Sequence, residues 1–206
     1  MNYKLTSDIQ ESQHKQILDL IHASFEEHER NELHFTCTKY SLQDVKNKVL
    51  RGRAIIAVDD DNEVVGITSF SKVNDGVCYE DITAISPKTK GMGVGTALYE
   101  ARKKELLKLG AKCLISDTAV GATSSVNWHL RKCHCHIIGL ESFASTNYYS
   151  YVFREDITPR CFIYPMIIYP MQYGMSYLFC KSVKHADGTF TWLGNILNKI
   201  RKTLRK

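Results

Sequence analysis

Apolar and polar positions in the first half of the chain follow two periods, and these periods predict its elements. Apolar residues recur at helical spacing over 9–30, a helix that we expect Ser7 and Asp8 to cap, with one face buried. A shorter helix is predicted to begin at Ser41, which forms a capping pair with Asp44. The runs typical of strands in this half are 3–6, 54–58, 64–70 and 77–85.

The stretch 79–109 is the centre of the pattern. A strand ends at Pro87, a glycine-rich turn follows, and an amphipathic helix then runs without a breaker from Gly95 until Gly110 stops it. Since the next strand, 113–117, follows this crossover helix, the two strands should be parallel neighbours. The later elements expected are a helix starting near Thr123 and a hairpin of strands 137–143 and 148–153.

The turn Lys90-Gly91-Met92-Gly93-Val94-Gly95 opens the central helix and predicts an anion site. The first amides of a helix have no intrahelical acceptor, and the macrodipole favours negative charge there. The turn is not a P-loop, because no Lys-Ser or Lys-Thr pair follows a glycine in it. A dinucleotide fingerprint is also excluded, because its third small position would fall on Leu98.

This hexamer resembles the pyrophosphate-binding signature Q/R-x-x-G-x-G/A of the GNAT superfamily, the acetyl-CoA-dependent N-acyltransferases. Lys90 stands where Gln or Arg is usual, which keeps the positive charge but loses the planar fork of arginine. The resemblance covers about residues 1–155. It implies an α/β fold with a mixed central sheet and flanking helices as one acyltransferase domain, and leaves 156–206 as a C-terminal extension.

The resemblance implies acetyl-CoA as co-substrate. Main-chain amides of the glycine turn would hold its pyrophosphate, and the backbone around Ile85 would grip the pantetheine arm in a wedge between two splaying strands. The residues expected to contact acetyl-CoA are Ile85, Lys90, Gly91, Met92, Gly93, Val94, Gly95, Thr96, Thr123 and Asn127.

Family members often carry a carboxylate on the strand before the turn, so the candidate general bases are Asp81 and then Glu80. Strand alternation should direct only one of the two into the cleft, and an exposed acidic pair with a water chain as base is the alternative.

The helix TSSVNWHLRKCHC resembles the family motif N-x-x-A-x-x-L-Y-x-K-x-G-F in two registers, with either Thr123 or Asn127 at the asparagine. Both registers remove the tyrosine that usually protonates the departing thiolate. His129 or His134 can replace it, because histidine donates a proton near neutral pH.

Charge and cysteine content narrow the function classes. The chain of 206 residues carries a formal charge of +5, and the basic C-terminal end accounts for it, so we expect no nucleic-acid-binding body. Seven scattered cysteines do not form a disulfide framework, and a cytoplasmic protein is expected. The run Cys133-His134-Cys135-His136 lacks a second ligand pair, so we expect no metal.

The C-terminal extension has two unusual parts. Residues 161–180 carry no formal charge, but Pro165 and Pro170 argue against a membrane-spanning helix, so an extended or broken apolar segment is predicted. The last part predicts a basic amphipathic helix that either anchors the chain peripherally at the inner, anionic membrane face or docks on the body. Its apolar stripe is Trp192, Leu193, Ile196, Leu197, Ile200 and Leu204.

These inferences favour an enzyme that moves an acetyl group from acetyl-CoA to an amine or hydroxyl of a small acceptor. An amino sugar of a surface-polysaccharide precursor is the first expectation for that acceptor, from a similarity of FASTNYYSYVF to relatives that modify surface sugars. The alternative is a catalytically silent GNAT-like module that binds or is tethered to a membrane. A homodimer is left open.

Overall fold

A computed structural model of the chain describes residues 2–203, with side chains described for 2–201. The predicted stripe residue Leu204 lies outside the described residues. The chain divides into two compact units. The first unit is formed by the chain up to Ser116 and by Glu155–Pro159, and the second by Asp117–Arg154 and the chain from Arg160 onward.

Seven strands and six α-helices make up the regular structure of the described chain. In chain order they are β1 (Tyr3–Thr6), α1 (Gln13–Arg30), α2 (Leu42–Asp44), β2 (Arg53–Asp59), β3 (Val64–Asn74), β4 (Val77–Ile85), α3 (Val94–Lys108), β5 (Cys113–Ala119), α4 (Thr123–Arg131), β6 (His136–Ser142), β7 (Tyr149–Asp156), α5 (Tyr169–Val183) and α6 (Trp192–Thr203).

The first unit is built on a mixed sheet with the strand order β1-β2-β3-β4-β5. Strands β1 to β4 pair antiparallel, whereas β4 and β5 pair parallel, as the crossover helix α3 predicts. The register of β3 against β4 shifts between Ser69 and Phe70, which leaves Asp81 as an extra residue on β4. A bulge of this kind re-aims the side chains on either side of it.

Helices cover both faces of this sheet. On one face, α1 and the segment after α2 pack Ile17, Ile21 and Val45 against buried residues of β2, β3 and β4. On the other face, α3 packs Val94 and Leu98 against β2 and β3. The expected mixed α/β architecture with flanking helices is therefore confirmed.

The second unit contains α4, the antiparallel hairpin of β6 and β7, and the C-terminal helices. Helix α5 lies against β6, where the Ser176 hydroxyl donates to the Leu140 carbonyl at 3.1 Å and accepts from the Leu140 amide at 2.9 Å. This close approach depends on Gly139, because a Cβ there would lie 3.1 Å from Ser176 Oγ.

The segment 161–180 is helical, so the prediction of an extended or broken segment was wrong. A π-helical turn covers Tyr164–Ile168, and α5 follows it directly. Pro165 falls in the first turn of this helical run, where a missing N–H costs no helical hydrogen bond, and Pro170 lies where the π-helical turn passes into α5. Within the described residues, no helix is both long and apolar enough to cross a membrane.

The two predicted helix caps have different outcomes. Ser41 caps α2, since its hydroxyl accepts from the Asp44 amide at 3.2 Å while Asp44 accepts from the Ser41 amide at 2.9 Å. Ser7 and Asp8 do not cap α1, which begins only at Gln13. The Asp8 amide instead donates to the Thr6 hydroxyl and continues the turn that ends β1.

Candidate functional site

The glycine-rich turn forms the positive end of α3. Gly91 and Gly93 both have φ of +85°, a conformation that other residues adopt only with strain. Gly93 is the N-cap of α3, and its carbonyl accepts from the Ala97 amide at 3.0 Å. Among the described residues, the amides of Val94, Gly95 and Thr96 have no backbone acceptor, so the helix start presents three donors.

Space for a ligand exists in front of this turn. A Cβ on Gly91 would meet no described atom within 4 Å, and one on Gly93 would come no closer than 3.7 Å, to the Tyr3 hydroxyl. The Met92 amide is occupied, because it donates to the Thr89 carbonyl at 3.0 Å. Of the residues predicted to contact the phosphates, Met92 therefore has only a half-exposed side chain to offer, whereas the residues that begin α3 have free amides.

Tight packing against the sheet holds the turn in place. Thr89 is buried, and its hydroxyl donates to the Ser86 carbonyl at 3.2 Å. On β3, a Cβ at Gly66 would lie only 2.8 Å from side-chain atoms of both Val94 and Leu98. The glycine on β3 therefore lets the start of α3 sit directly on the sheet.

Lys90 precedes the first glycine and lies beside the end of α1. Its Nζ is 3.6 Å from Glu27 Oε2, and both side chains are 71% exposed. Other members of the acidic group that ends α1 are paired as well: Glu26 with Arg30 at 2.8 Å, and Glu29 with His34 at 2.8 Å. The charge of Lys90 is therefore partly offset at the mouth of the turn.

Strands β4 and β5 pair over a short stretch at the start of each strand. They pair only at Val77/Cys113, Cys78/Leu114 and Tyr79/Ile115, although β4 continues to Ile85. Over residues 80–85, the described pairing of β4 is with β3 alone. The described β4–β5 pairing therefore ends at Tyr79, and the expected wedge between the two strands stays a prediction.

The main chain of β4 is accessible along this stretch. Asp81 and Glu80 are partly exposed residues, yet their side chains are only 4% and 9% exposed, so most of their exposed surface is backbone. Alternate residues of an antiparallel strand direct both main-chain groups away from the partner strand. The Ile85 carbonyl accepts from the Ser24 hydroxyl of α1 at 2.8 Å, which identifies Ile85 as one of these residues.

The two candidate bases are adjacent on β4 and lie on opposite faces of the sheet, as strand alternation predicts. Asp81 accepts from Arg51 Nη2 at 2.5 Å, from Arg51 Nε at 3.1 Å and from the Ser71 hydroxyl at 2.6 Å. Glu80 faces α3 and accepts from Arg102 Nη1 at 2.7 Å and from the Thr83 hydroxyl. Both carboxylates are therefore held by a cation and a hydroxyl.

Arg102 joins two buried acids. Its second nitrogen, Nη2, donates to Glu155 Oε2 at 3.2 Å, and the side chains of Arg102 and Glu155 are only 4% and 5% exposed. Burial raises the pKa of the Glu155 carboxyl, and the charge of Arg102 opposes that increase. Sequence reasoning missed Arg102, although its position between Leu98 and Leu106, at four-residue spacing on the buried face of α3, was a usable signal.

The remaining candidates lie in the second unit. Thr123 and Asn127 are exposed and four residues apart on α4. His129 Nδ1 lies 2.8 Å from the Ser125 carbonyl, which can only accept, so Nδ1 carries a proton. The His129 ring stacks on Phe153 with 4.5 Å between centroids, and the exposed His134 follows the helix with φ of +52°.

The thiols of Cys133 and Cys135 are buried. Among the residues that the structure describes, no group of three or more His, Cys, Asp and Glu side chains is placed to hold a metal ion.

A glycine-opened helix start with three free amides is suited to hold an anion. The sequence model of the GNAT acetyltransferase family matches residues 15–134. The chain belongs to this family and is an N-acetyltransferase, which transfers an acetyl group to an amine. The GNAT fold binds acetyl-CoA.

Solved structures share this fold at low sequence identity. Ard1 from Thermoplasma volcanium is 13% identical with a TM-score of 0.62, over 77% of this chain and 100% of that one. PaiA N-acetyltransferase from Thermoplasma acidophilum, solved with coenzyme A, is 10% identical with a TM-score of 0.60, over 76% and 99%. An aminoglycoside 6'-acetyltransferase type Ii is 17% identical with a TM-score of 0.60, over 78% and 100%. No curated protein sequence matches significantly.

Proposed function

We propose that the free amides at the start of α3 bind the pyrophosphate of acetyl-CoA and that the edge of β4 that faces away from β3, over residues 81–85, receives its pantetheine arm. The observation that carries this proposal is the set of three amides, Val94, Gly95 and Thr96, which have no backbone acceptor among the described residues and follow the open position at Gly91. Lys90 adds a positive charge to this site.

Acetyl-CoA supplies an activated acetyl thioester, and residues of this chain supply its orientation and the proton transfers. The Ile85 amide lies on the same edge of β4 as the carbonyl that Ser24 holds, so it can donate to the thioester oxygen as charge develops there. A carboxylate of β4, Asp81 or Glu80, takes the proton from the attacking amine. His129 or His134 returns a proton to the departing thiolate.

The two β4 carboxylates are separable by experiment. Asp81→Asn and Glu80→Gln each retain an acceptor for the arginine that holds the native side chain, Arg51 and Arg102 respectively. The base is the residue whose amide variant lowers kcat by about 100-fold or more and removes the acidic limb of the pH profile. The other variant should retain most of its activity.

We propose an amino sugar of a surface-polysaccharide precursor as the acceptor. A neighbour with the same fold is named an aminoglycoside 6'-acetyltransferase. The second unit also contains a cavity of about 250 Å³ whose lining combines aromatic rings with hydroxyls, which suits the apolar face and polar rim of a sugar ring. Its lining includes Tyr148, Tyr149, Tyr151, Tyr177 and Lys181.

Isothermal titration with acetyl-CoA tests the proposed site. Gly93→Asp places a carboxylate among the amides and should abolish binding. Gly110→Asp is the matched control, because Gly110 also has positive φ, meets no described atom within 4 Å and lies just past the other end of α3. Equal loss of binding in both variants, or no heat from the native protein, would refute the site.

Acetyl transfer assayed on a panel of amino sugars, polyamines and peptides tests the acceptor. Preferred turnover of amino sugars supports the proposal, and preference for a peptide or polyamine overturns it. Binding of acetyl-CoA with turnover of none of them would favour the alternative of a silent binding module.

We propose further that the enzyme works in the cytoplasm at the inner membrane face. Helix α6 has the predicted amphipathic character, with Trp192 and Ile200 exposed on its apolar side and Lys199 and Arg201 among its basic residues. Anionic headgroups attract such helices. Fractionation of cells should place the protein in the cytosolic and the peripheral, salt-extractable fractions, and an integral membrane pool would contradict this location.

A further inference from the structure

Helix α5 has two faces of different character, and only one of them is used within the second unit. Its inward face contains Tyr169, Cys180 and Val183, which are 3%, 6% and 6% exposed. Ser176 on the same face is bonded to the main chain of β6. The inward stripe therefore accounts for the packing of the helix, and the opposite face contributes nothing to it.

The outward face of α5 is apolar from Met171 to Phe179. We define the outer apolar surface as the exposed large side chains of this face, of the turn before it and of the start of α6. Its members are Phe162 (76% exposed), Met166 (72%), Met171 (59%), Met175 (66%), Leu178 (68%), Phe179 (63%) and Trp192 (79%).

Trp192 is joined to the end of α5 by short contacts. The Thr191 amide donates to the Val183 carbonyl at 2.9 Å, and the Thr191 hydroxyl donates to the Ser182 carbonyl at 2.6 Å. A Cβ on Gly194 would lie 2.1 Å from the Val183 carbonyl, so the two helices meet backbone to backbone. Trp192 therefore follows directly on the end of α5, next to residues that are bonded to it.

We propose that the outer apolar surface inserts into the headgroup layer of an anionic phospholipid bilayer, with α5 lying flat on it. An exposed apolar surface of this extent marks an interaction site rather than an ordinary surface. From Phe162 to Phe179 the helical segment is about 25 Å long, and exposed members occur along all of it. The side chains that enter first are long, flexible or aromatic, as at membrane interfaces.

Charge selects the bilayer over a second copy of the chain. Between residues 157 and 201 there are five basic residues, Arg160, Lys181, Lys184, Lys199 and Arg201, and one acid, Asp187. In a two-fold dimer the same patch faces itself, so these cations would meet like charges. An anionic bilayer offers the complementary charge together with an apolar layer.

Co-sedimentation of the full chain with vesicles tests the proposal. We expect the native protein to pellet with phosphatidylcholine vesicles that contain phosphatidylglycerol and to pellet much less with phosphatidylcholine alone. The double variant Met175→Gln/Leu178→Gln removes apolar contact while keeping good helix formers, and its partition should fall at least about ten-fold.

Leu107→Gln is the matched control, because Leu107 is a similarly exposed leucine, at 52%, but lies on α3 in the first unit. Its partition should equal that of the native protein. Circular dichroism and acetyl-CoA titration should be unchanged in all variants, which separates loss of the surface from loss of the fold. Native protein that ignores anionic vesicles, or a double variant that binds them as the native protein does, would overturn the proposal. So would a native dimer that the double variant converts to a monomer without vesicle binding.

Discussion

Lys90 Nζ lies 3.6 Å from Glu27 Oε2, so the lysine that precedes the phosphate turn is held against a carboxylate from the end of α1. Both groups are largely exposed, so solvent screens the pair and its own strength is small. The pair affects the neighbouring turn, because the Glu27 carboxylate lowers the positive potential in front of that turn. A dianionic pyrophosphate would be sensitive to both charges.

Glu27→Gln should therefore strengthen acetyl-CoA binding by about two- to three-fold at low salt, and Lys90→Gln should weaken it by about five-fold. Glu26→Gln is the control, because Glu26 is also exposed but pairs with Arg30. Titration calorimetry at low salt and near 1 M salt, where the Debye length is about 3 Å, measures the effect. The differences should shrink at high salt, and their persistence there would exclude this electrostatic origin.

The charge of Arg102 can be tested through the free energy of unfolding. Arg102→Met leaves Glu80 and Glu155 buried without their cation, which should cost about 3–5 kcal/mol of unfolding free energy. Arg53→Met, at an exposed arginine on β2, is the control. Chemical denaturation measures both variants.

The loss of unfolding free energy in Arg102→Met should increase with pH. Burial raises the folded-state pKa of Glu155, so its contribution to stability is fully present below about 4.5 and is lost as the pH rises. Removing Arg102 removes a charge that opposes this increase, so the loss with rising pH becomes larger. The deficit should be greater at pH 7 than near pH 4, and an equal deficit at both would contradict a buried charge as its cause.

Gly66 positions the start of α3, so its substitution should change both stability and acetyl-CoA affinity. In Gly66→Ala the new methyl group would lie 2.8 Å from Val94 and Leu98, so the helix start must shift, at a cost of about 1–3 kcal/mol. Acetyl-CoA affinity should fall with it, because the amides move. In Gly174→Ala the methyl group meets no described atom within 4 Å, so that variant should gain about 0.5–1 kcal/mol and keep its affinity. Denaturation and calorimetry on the two variants measure these effects.

Local patterns in the sequence predicted the elements that depend on local causes. The bounds of β1 and β4, the start of α4 at Thr123 and the Ser41–Asp44 cap all follow from alternation, helical spacing or a hydrogen bond within a few residues. The parallel pairing of β4 and β5 followed from handedness and chain order. The family match confirms the fold that the glycine turn implied.

The features that the sequence could not supply depend on register and on distant partners. The end of the β4–β5 pairing at Tyr79/Ile115 and the bulge that makes Asp81 an extra residue on β4 are both set by the register between strands. The ion pairs with Arg51 and Arg102 join residues 30 and 22 positions apart in the chain. The effect of proline in 161–180 depends on its place in the helix: Pro165 falls in the first turn, and Pro170 lies where a π-helical turn passes into α5.

His28 provides a pH-dependent prediction beside the phosphate turn. Burial lowers the pKa of this histidine from its ordinary value of 6.5; the charge of Glu27 opposes the shift and that of Lys90 adds to it. A folded pKa below the unfolded one means that the neutral ring is preferred in the native state, so stability is fully present above about pH 6.5 and is lost as the pH falls.

His28→Phe keeps an aromatic ring against Phe35, which lies 4.9 Å from the histidine ring, and removes the titration. Its Tm should therefore fall less between pH 8 and pH 5 than that of the native protein, whereas His185→Phe, at an exposed histidine, should leave the native slope unchanged. A parallel loss of Tm in His28→Phe and the native protein would show that the buried ring does not set the acid sensitivity.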